Sequence, residues 1–91
     1  MCGILGLIKF RQSITDSDFK KFRRANLKMA HRGPDYAEVH QVNDRILMGH
    51  NRLSIIDLAD VSNQPFRKVS SADSLVFNGE LYNFKDVRTK L

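Results

Sequence analysis

The stretch Ala37–Ile55, AEVHQVNDRILMGHNRLSI, decides the fold. Its two segments, AEVHQV and RILMGHNRLSI, flank a turn-like Asn43-Asp44 pair, and that arrangement predicts a β-hairpin. Toward the N-terminus, CGILGLIKF (Cys2–Phe10) is short, rich in Ile and Leu, and bounded by a polar run. It predicts a buried first strand. Between strand and hairpin, SITDSDFKKFRRANLKMAH (Ser13–His31) carries a helix start signal. Thr15 or Asp16 can cap it, and Asp18 stands in the first turn. The helix should stop at HRGPD, where Gly33 and Pro34 break it. Beyond the hairpin, DLADVSNQPF reads as a loop and SLVFN as a further strand, with Gly79 marking a tight turn after it. LYNFKDVRTKL begins a final helix that Asn83 can cap. The order is β-α-β-β-β-α, an α+β domain.

Ninety-one residues suffice for one small domain and not for two. A hydrophobic content of 42% argues against general disorder. A single cysteine excludes an internal disulfide framework and points to a reducing compartment. The apolar run Ile4–Ile8 is too short for a membrane span, and no basic segment precedes it. The expectation is a soluble cytoplasmic protein without transmembrane helix or signal peptide.

A net charge of +5 makes nucleic acid one candidate partner. The basic residues concentrate in KKFRRANLK (Lys20–Lys28). On a helix, Lys20, Lys21, Arg24 and Lys28 gather on one side, and Phe19, Phe22, Met29 and Ala30 on the other. An amphipathic surface helix explains this without a ligand, and no nucleic-acid-binding motif accompanies it. No nucleic-acid partner is therefore expected.

The lone cysteine stands directly behind the initiator methionine, in MCGILGL. Removal of Met1, which a small second residue permits, leaves Cys2 with a free α-amine whose ordinary pKa is about 7.7–8.0. A thiol and its own proton acceptor then share one residue. Gly3 places no side chain against the sulfur.

Three further stretches follow in order behind MCGI: HRGPD (His31–Asp35), HNRLSIIDL (His50–Leu58) and FNGELYNF (Phe77–Phe84). Together these four blocks resemble the class II, N-terminal-nucleophile glutamine amidotransferases, and within them the asparagine synthetase type. The resemblance runs from Met1 to the last residue. It implies the N-terminal part of a four-layer α-β-β-α sandwich. It also implies hydrolysis of glutamine to glutamate and ammonia, with the ammonia used in ATP-dependent synthesis of asparagine from aspartate.

By this resemblance Cys2 attacks the carboxamide carbon, and its α-amine serves as base. Asn78 and Gly79 offer a side-chain NH₂ and a backbone N–H to the tetrahedral oxyanion. Arg52 resembles the arginine that pairs with glutamine's α-carboxylate, for which a guanidinium is well shaped. Leu53, Ser54, Ile55 and Ile56 continue the segment whose backbone helps hold the substrate, together with Asn78 and Gly79. Glu80 corresponds to an acid near the substrate's ammonium.

His31, His40 and His50 have a spacing that fits no common zinc-ligand pattern, and no metal is expected. Arg32 and Asp35 are expected to fix the HRGPD turn through hydrogen bonds. Phe77, Tyr82 and Phe84 are expected to pack rather than to stack on bases. The resemblance further implies that glutaminase domains are much longer, so residues 1–91 read as a truncated one. On that resemblance, the downstream glycine-serine-aspartate segment and the synthetase domain are expected to lie outside residues 1–91. No cofactor is expected in this segment, ATP and Mg belonging to that synthetase domain. A gene fragment, a degenerate copy and half of a split protein all remain open. The expected partners are glutamine and an ammonia-accepting synthetase domain or subunit, with no membrane. The isolated chain is expected to be oligomeric or partly disordered, with glutamine hydrolysis near background. The alternative is an inactive remnant or binding module that uses its basic helix face.

Overall fold

Thr15 starts the first helix by a reciprocal exchange. Its Oγ1 accepts from the Asp18 backbone N–H at 3.1 Å, and Asp18 Oδ2 accepts from the Thr15 N–H at 2.9 Å. That capping box satisfies two donors a helix start leaves open. A computed structural model describes residues 1–55 and 59–91, and places helix α1 at Asp16–Leu27. Lys9 Nζ donates to the same Asp18 carboxylate at 2.7 Å, tying the end of the first strand to the helix start. This bond, followed by those from Thr15, lowers the Asp18 pKa to about 2.

Strands β1 (Gly3–Ile8), β2 (Tyr36–Asn43) and β3 (Ile46–Arg52) form an antiparallel sheet in the order β1-β3-β2. The expected hairpin is β2–β3, with its turn one residue later than the sequence places it, at Asp44-Arg45. Asn43 Oδ1 accepts from the Arg45 N–H at 2.8 Å and so shapes that turn. The tip is bound to the β1–α1 connection, because Lys9 donates to Arg45 O at 2.9 Å and Arg45 Nη1 donates to Phe10 O at 3.0 Å.

Directly opposed residues of an antiparallel pair share a sheet face. Leu47, Gly49 and Asn51 face α1, with Leu5, Leu7 and Val39 beside them. A Cβ on Gly49 would stand 2.6 Å from Asn26 Oδ1 and 3.2 Å from the Phe22 ring, so glycine lets the helix close on the sheet. Phe22 and Leu47 are buried in this layer. Asn26 and Asn51 are buried there too: Asn51 Nδ2 donates to both the backbone and side-chain oxygens of Asn26 at 2.9 Å. These bonds and the one from Asn26 Nδ2 to Glu38 O at 3.4 Å offset most of the cost of burying two amides, although Asn51 Oδ1 meets no partner among the described residues. The basic residues Lys20, Lys21, Arg24 and Lys28 are exposed.

The other face carries Ile4, Ile8, Ile46, Met48 and His50. Ile4 and Ile8 are about half exposed, at 47% and 57%, and with Val76 they rim a shallow apolar concavity of about 380 Å³.

Past β3 the structure departs from the sequence reading. The loop contains a 3-10 turn, Asp60–Ser62, and ends in strand β4 (Phe66–Arg67), which was not anticipated. It pairs antiparallel with β5 (Ser74–Leu75), a strand much shorter than SLVFN. The described architecture is thus two antiparallel sheets and two α-helices, an α+β arrangement. Helix α2 (Phe84–Thr89) follows Asn83, whose side chain makes no capping hydrogen bond. The expected packing of three aromatics is corrected: Tyr82 is 90% exposed, Phe84 and Phe77 about half. No described residue of α2 is buried.

Candidate active site

Three distant stretches converge on one cavity of about 450 Å³. Its walls are Met1 and Cys2, then Arg52, Leu53 and Ile55, then Asn78, Gly79 and Glu80. The antiparallel register explains the first two. Gly3 pairs with Asn51, so the N-terminus runs past the end of β3 and meets the segment leaving it. The Cys2 thiol sits against Leu53: Sγ accepts from the Leu53 N–H at 3.4 Å and donates toward Leu53 O at 3.9 Å. The first residues of a chain ordinarily fray, and here they are fixed by sheet pairing and by this contact.

HRGPD clamps that corner. Arg32 Nε donates to the Cys2 carbonyl at 3.2 Å, and Asp35 Oδ2 accepts from the Ser54 N–H at 2.7 Å. The Asp35 N–H donates to Arg52 O at 3.0 Å. Between them, a Cβ on Gly33 would fall 2.2 Å from Asn51 O and 2.6 Å from Arg52 N. Only glycine allows the turn to lie flat on the strand end. Arg32 and Asp35 therefore do bond as expected, but their bonds leave the turn and reach the nucleophile and the Arg52–Ser54 segment.

Arg52 is buried, 7% exposed, and forms part of the cavity wall. Its Nη1 donates to Ala59 O at 2.9 Å and to Asn63 Oδ1 at 2.7 Å, which sets the plane of the guanidinium. On its other side is a polar cavity of about 300 Å³, lined by Asp35, Tyr36, Ser54, Asp60 and Asn63. Ser54 belongs to this second cavity, its N–H held by Asp35, and not to the wall that carries Cys2. Ile56 lies outside the described residues.

The third stretch is positioned from two sides. Gln64 Oε1 accepts from the Phe77 N–H at 2.6 Å, and Gln64 Nε2 donates to Phe77 O at 3.2 Å. The Phe77 ring lies 3.0 Å from where a Gly79 Cβ would be, which explains a glycine there without left-handed backbone. Gln64 carries no motif in the sequence, and nothing in a loop of polar residues marks one as a clamp.

His50 is the fully buried titratable group beside the site. It faces Ile4 on β1 and Glu38 on β2, and neither ring nitrogen meets a described partner at full hydrogen-bonding geometry, the Phe77 backbone making only a weaker approach. Burial pushes its pKa down; the Phe77 backbone opposes that shift and the Arg52 charge reinforces it. His31 serves elsewhere, its Nδ1 3.0 Å from Lys28 O at the end of α1. His40 is lowered by burial and by the Arg67 charge, with Glu38 opposing. Among the described residues no three His, Cys, Asp or Glu side chains cluster as metal ligands. No described helix is long and apolar enough to cross a membrane.

The arrangement offers a thiol, amide donors, a guanidinium and a carboxylate around one small space. A sequence model of the glutamine amidotransferase domain matches residues 1–91. A putative glutamine-hydrolysing asparagine synthetase of Methanocaldococcus jannaschii is 32% identical over 107 residues, covering 99% of this chain and 20% of that protein. The nodule asparagine synthetase of Pisum sativum is 37% identical over 93 residues, covering all of this chain and 15% of the relative. Asparagine synthetase 3 of Bacillus subtilis is 32% identical over the same length, with the same coverage. The chain thus spans only 15–20% of the length of these relatives. No solved structure matches it. With the family model spanning every residue and a cysteine, a guanidinium and an Asn-Gly pair around one cavity, this chain belongs to the glutamine amidotransferase domain family.

Proposed function

We propose that the chain is the nucleophile-bearing part of a glutaminase, and that Cys2, freed of Met1, hydrolyses the side-chain amide of glutamine. The convergence of Cys2, Arg52 and Asn78-Gly79-Glu80 on one cavity carries this reading. The thiol proton passes to the Cys2 α-amine, and Sγ bonds to the carboxamide carbon. Asn78 and Gly79 donate to the oxyanion where charge develops, which is where fixed donors accelerate acyl transfer. As the intermediate collapses, the ammonium protonates the departing nitrogen, the C–N bond breaks and ammonia leaves a glutamyl thioester. Water then attacks the thioester, releasing glutamate and restoring the thiol.

Arg52 grips the substrate carboxylate from a guanidinium plane already set by Ala59 and Asn63. Glu80 faces the ammonium end, and Leu53 and Ile55 wall the cavity. Leu53 also steadies the sulfur through its backbone. Ser54 and Ile56 complete the segment, Ser54 contributing from the neighbouring polar cavity.

The chain on this reading is residues 1–91 of a longer glutaminase domain, the N-terminal part of a four-layer α-β-β-α sandwich of the N-terminal-nucleophile hydrolase type. Half-exposed Ile4 and Ile8 on the face away from α1 support a second layer there. The short share of each relative supports a separate synthetase domain or subunit that takes the ammonia. That partner would supply ATP and Mg chemistry and amidate aspartate, in the cytoplasm. The isolated chain would associate through the exposed face. Ammonia release from glutamine, measured in the full-length chain against Cys2→Ala, tests the function. Turnover that survives Cys2→Ala would refute it.

A further inference from the structure

Gln64 holds the main chain immediately before the oxyanion donors. A primary amide presents an acceptor and a donor side by side, the pair a neighbouring strand presents. Gln64 uses both on one residue, accepting from Phe77 N–H at 2.6 Å and donating to Phe77 O at 3.2 Å. The ladder between β4 and β5 ends at Leu75, so the side chain continues what the sheet leaves off. The Phe77 carbonyl and the Asn78 N–H belong to one rigid peptide plane. Fixing that oxygen therefore fixes the direction in which Asn78 departs, and Phe77's ring backs Gly79.

Next to Gln64 stands Asn63, whose Oδ1 accepts from Arg52 Nη1 at 2.7 Å. One turn of chain thus joins the guanidinium on one cavity wall to the Asn-Gly pair on the other.

We propose that Gln64 is a positioning residue for the oxyanion donors, and that Asn63-Gln64 couples the carboxylate grip of Arg52 to the placement of Asn78 and Gly79. This rests on the glutaminase reading for its purpose, but the clamp is a property of the chain alone. Binding glutamine's carboxylate at Arg52 steadies Asn63, and through it the donors that act in the transition state.

The test uses the full-length chain with Gln64→Met, which keeps the length and removes both hydrogen bonds. Gln64→Glu keeps the acceptor for Phe77 N–H and loses the donor. Amide hydrogen exchange at Phe77 and Asn78 should accelerate at least about tenfold in Gln64→Met, with the Leu47 amide in the central strand unchanged. Glutaminase kcat should fall roughly 10- to 100-fold while KM stays within about threefold, because the donors matter most in the transition state. Gln64→Glu should fall between Met and the unsubstituted chain in both readouts. Asn63→Ala should raise KM as well as lower kcat. Unchanged exchange in Gln64→Met, or a rise in KM alone, would overturn the clamp while leaving the glutaminase reading intact. Accelerated exchange in a chain whose unsubstituted form shows no Cys2-dependent turnover would uphold the clamp and refute its catalytic purpose.

Discussion

Gly33→Ala is the most informative single change in the corner that holds Cys2. The added methyl would lie 2.2 Å from Asn51 O, 2.3 Å from Asn51 C and 2.6 Å from Arg52 N. Ordinary contact begins at 3.4 Å, so turn and strand must separate by about an ångström, and all three atoms are backbone that cannot rotate away. Overpacking of this kind costs about 1–3 kcal/mol. Separation also stretches the bonds from Arg32 to Cys2 O, from Asp35 N–H to Arg52 O and from Ser54 N–H to Asp35, each worth about 0.5–1.5 kcal/mol. Against a total stability of roughly 5–15 kcal/mol, that is a large share. Gly6→Ala is the control, since its Cβ would meet only Leu47 O at 4.0 Å. Urea unfolding should show a midpoint lowered by about 1 M or more for Gly33→Ala and little change for Gly6→Ala. A displacement of about 1 Å at catalytic groups can cost on the order of 10²-fold, so Cys2-dependent turnover should drop by a similar factor. Equal midpoints for the two variants would refute the close-approach role of Gly33.

Arg52→Lys should raise KM for glutamine, because one ammonium cannot reproduce both a two-point carboxylate contact and the bonds to Ala59 and Asn63; it is read by steady-state kinetics. Asn78→Ala should lower kcat by about 10²–10³ with a smaller change in KM. For Asp18 the folded pKa, about 2, lies below the ordinary 3.8, so its stabilising effect is present above that value and is lost as pH falls toward 2. Lys9→Met should flatten the acid limb of the stability curve in that window, as followed by circular dichroism. His50 is depressed from 6.5, so the unfolded chain takes up a proton there while the folded chain resists it. Stability should decline as pH drops below 6.5, and His50→Leu should reduce that decline in urea titrations.

The first half of the fold was legible because its signals are local. Thr15 with Asp18 three residues on spells a capping box, and AEVHQV and RILMG around Asn43-Asp44 spell a hairpin. The candidate cavity was legible through ordered blocks, whose residues meet because β1 and β3 run antiparallel. What stayed hidden depends on partners far along the chain. Asn26 looks like a helix surface residue until Asn51 is brought to it. Arg32 and Asp35 look like turn residues until their bonds are followed to Cys2 and Ser54. Phe66–Arg67 is too short a strand to show a period, and Gln64 becomes a clamp only once Phe77 lies beside it. Tyr82 and Phe84 have the composition of packing residues, but the described residues leave Tyr82 almost wholly exposed and Phe84 about half so.

Intact-mass spectrometry after treatment with an electrophilic glutamine analogue tests Cys2 as the nucleophile most directly. The protein should have lost Met1 and should carry one adduct, mapped by peptide fragmentation to Cys2, with excess glutamine slowing the labelling. Met1 retained in protein that still turns over glutamine, or an adduct mapped to any other residue, would contradict it.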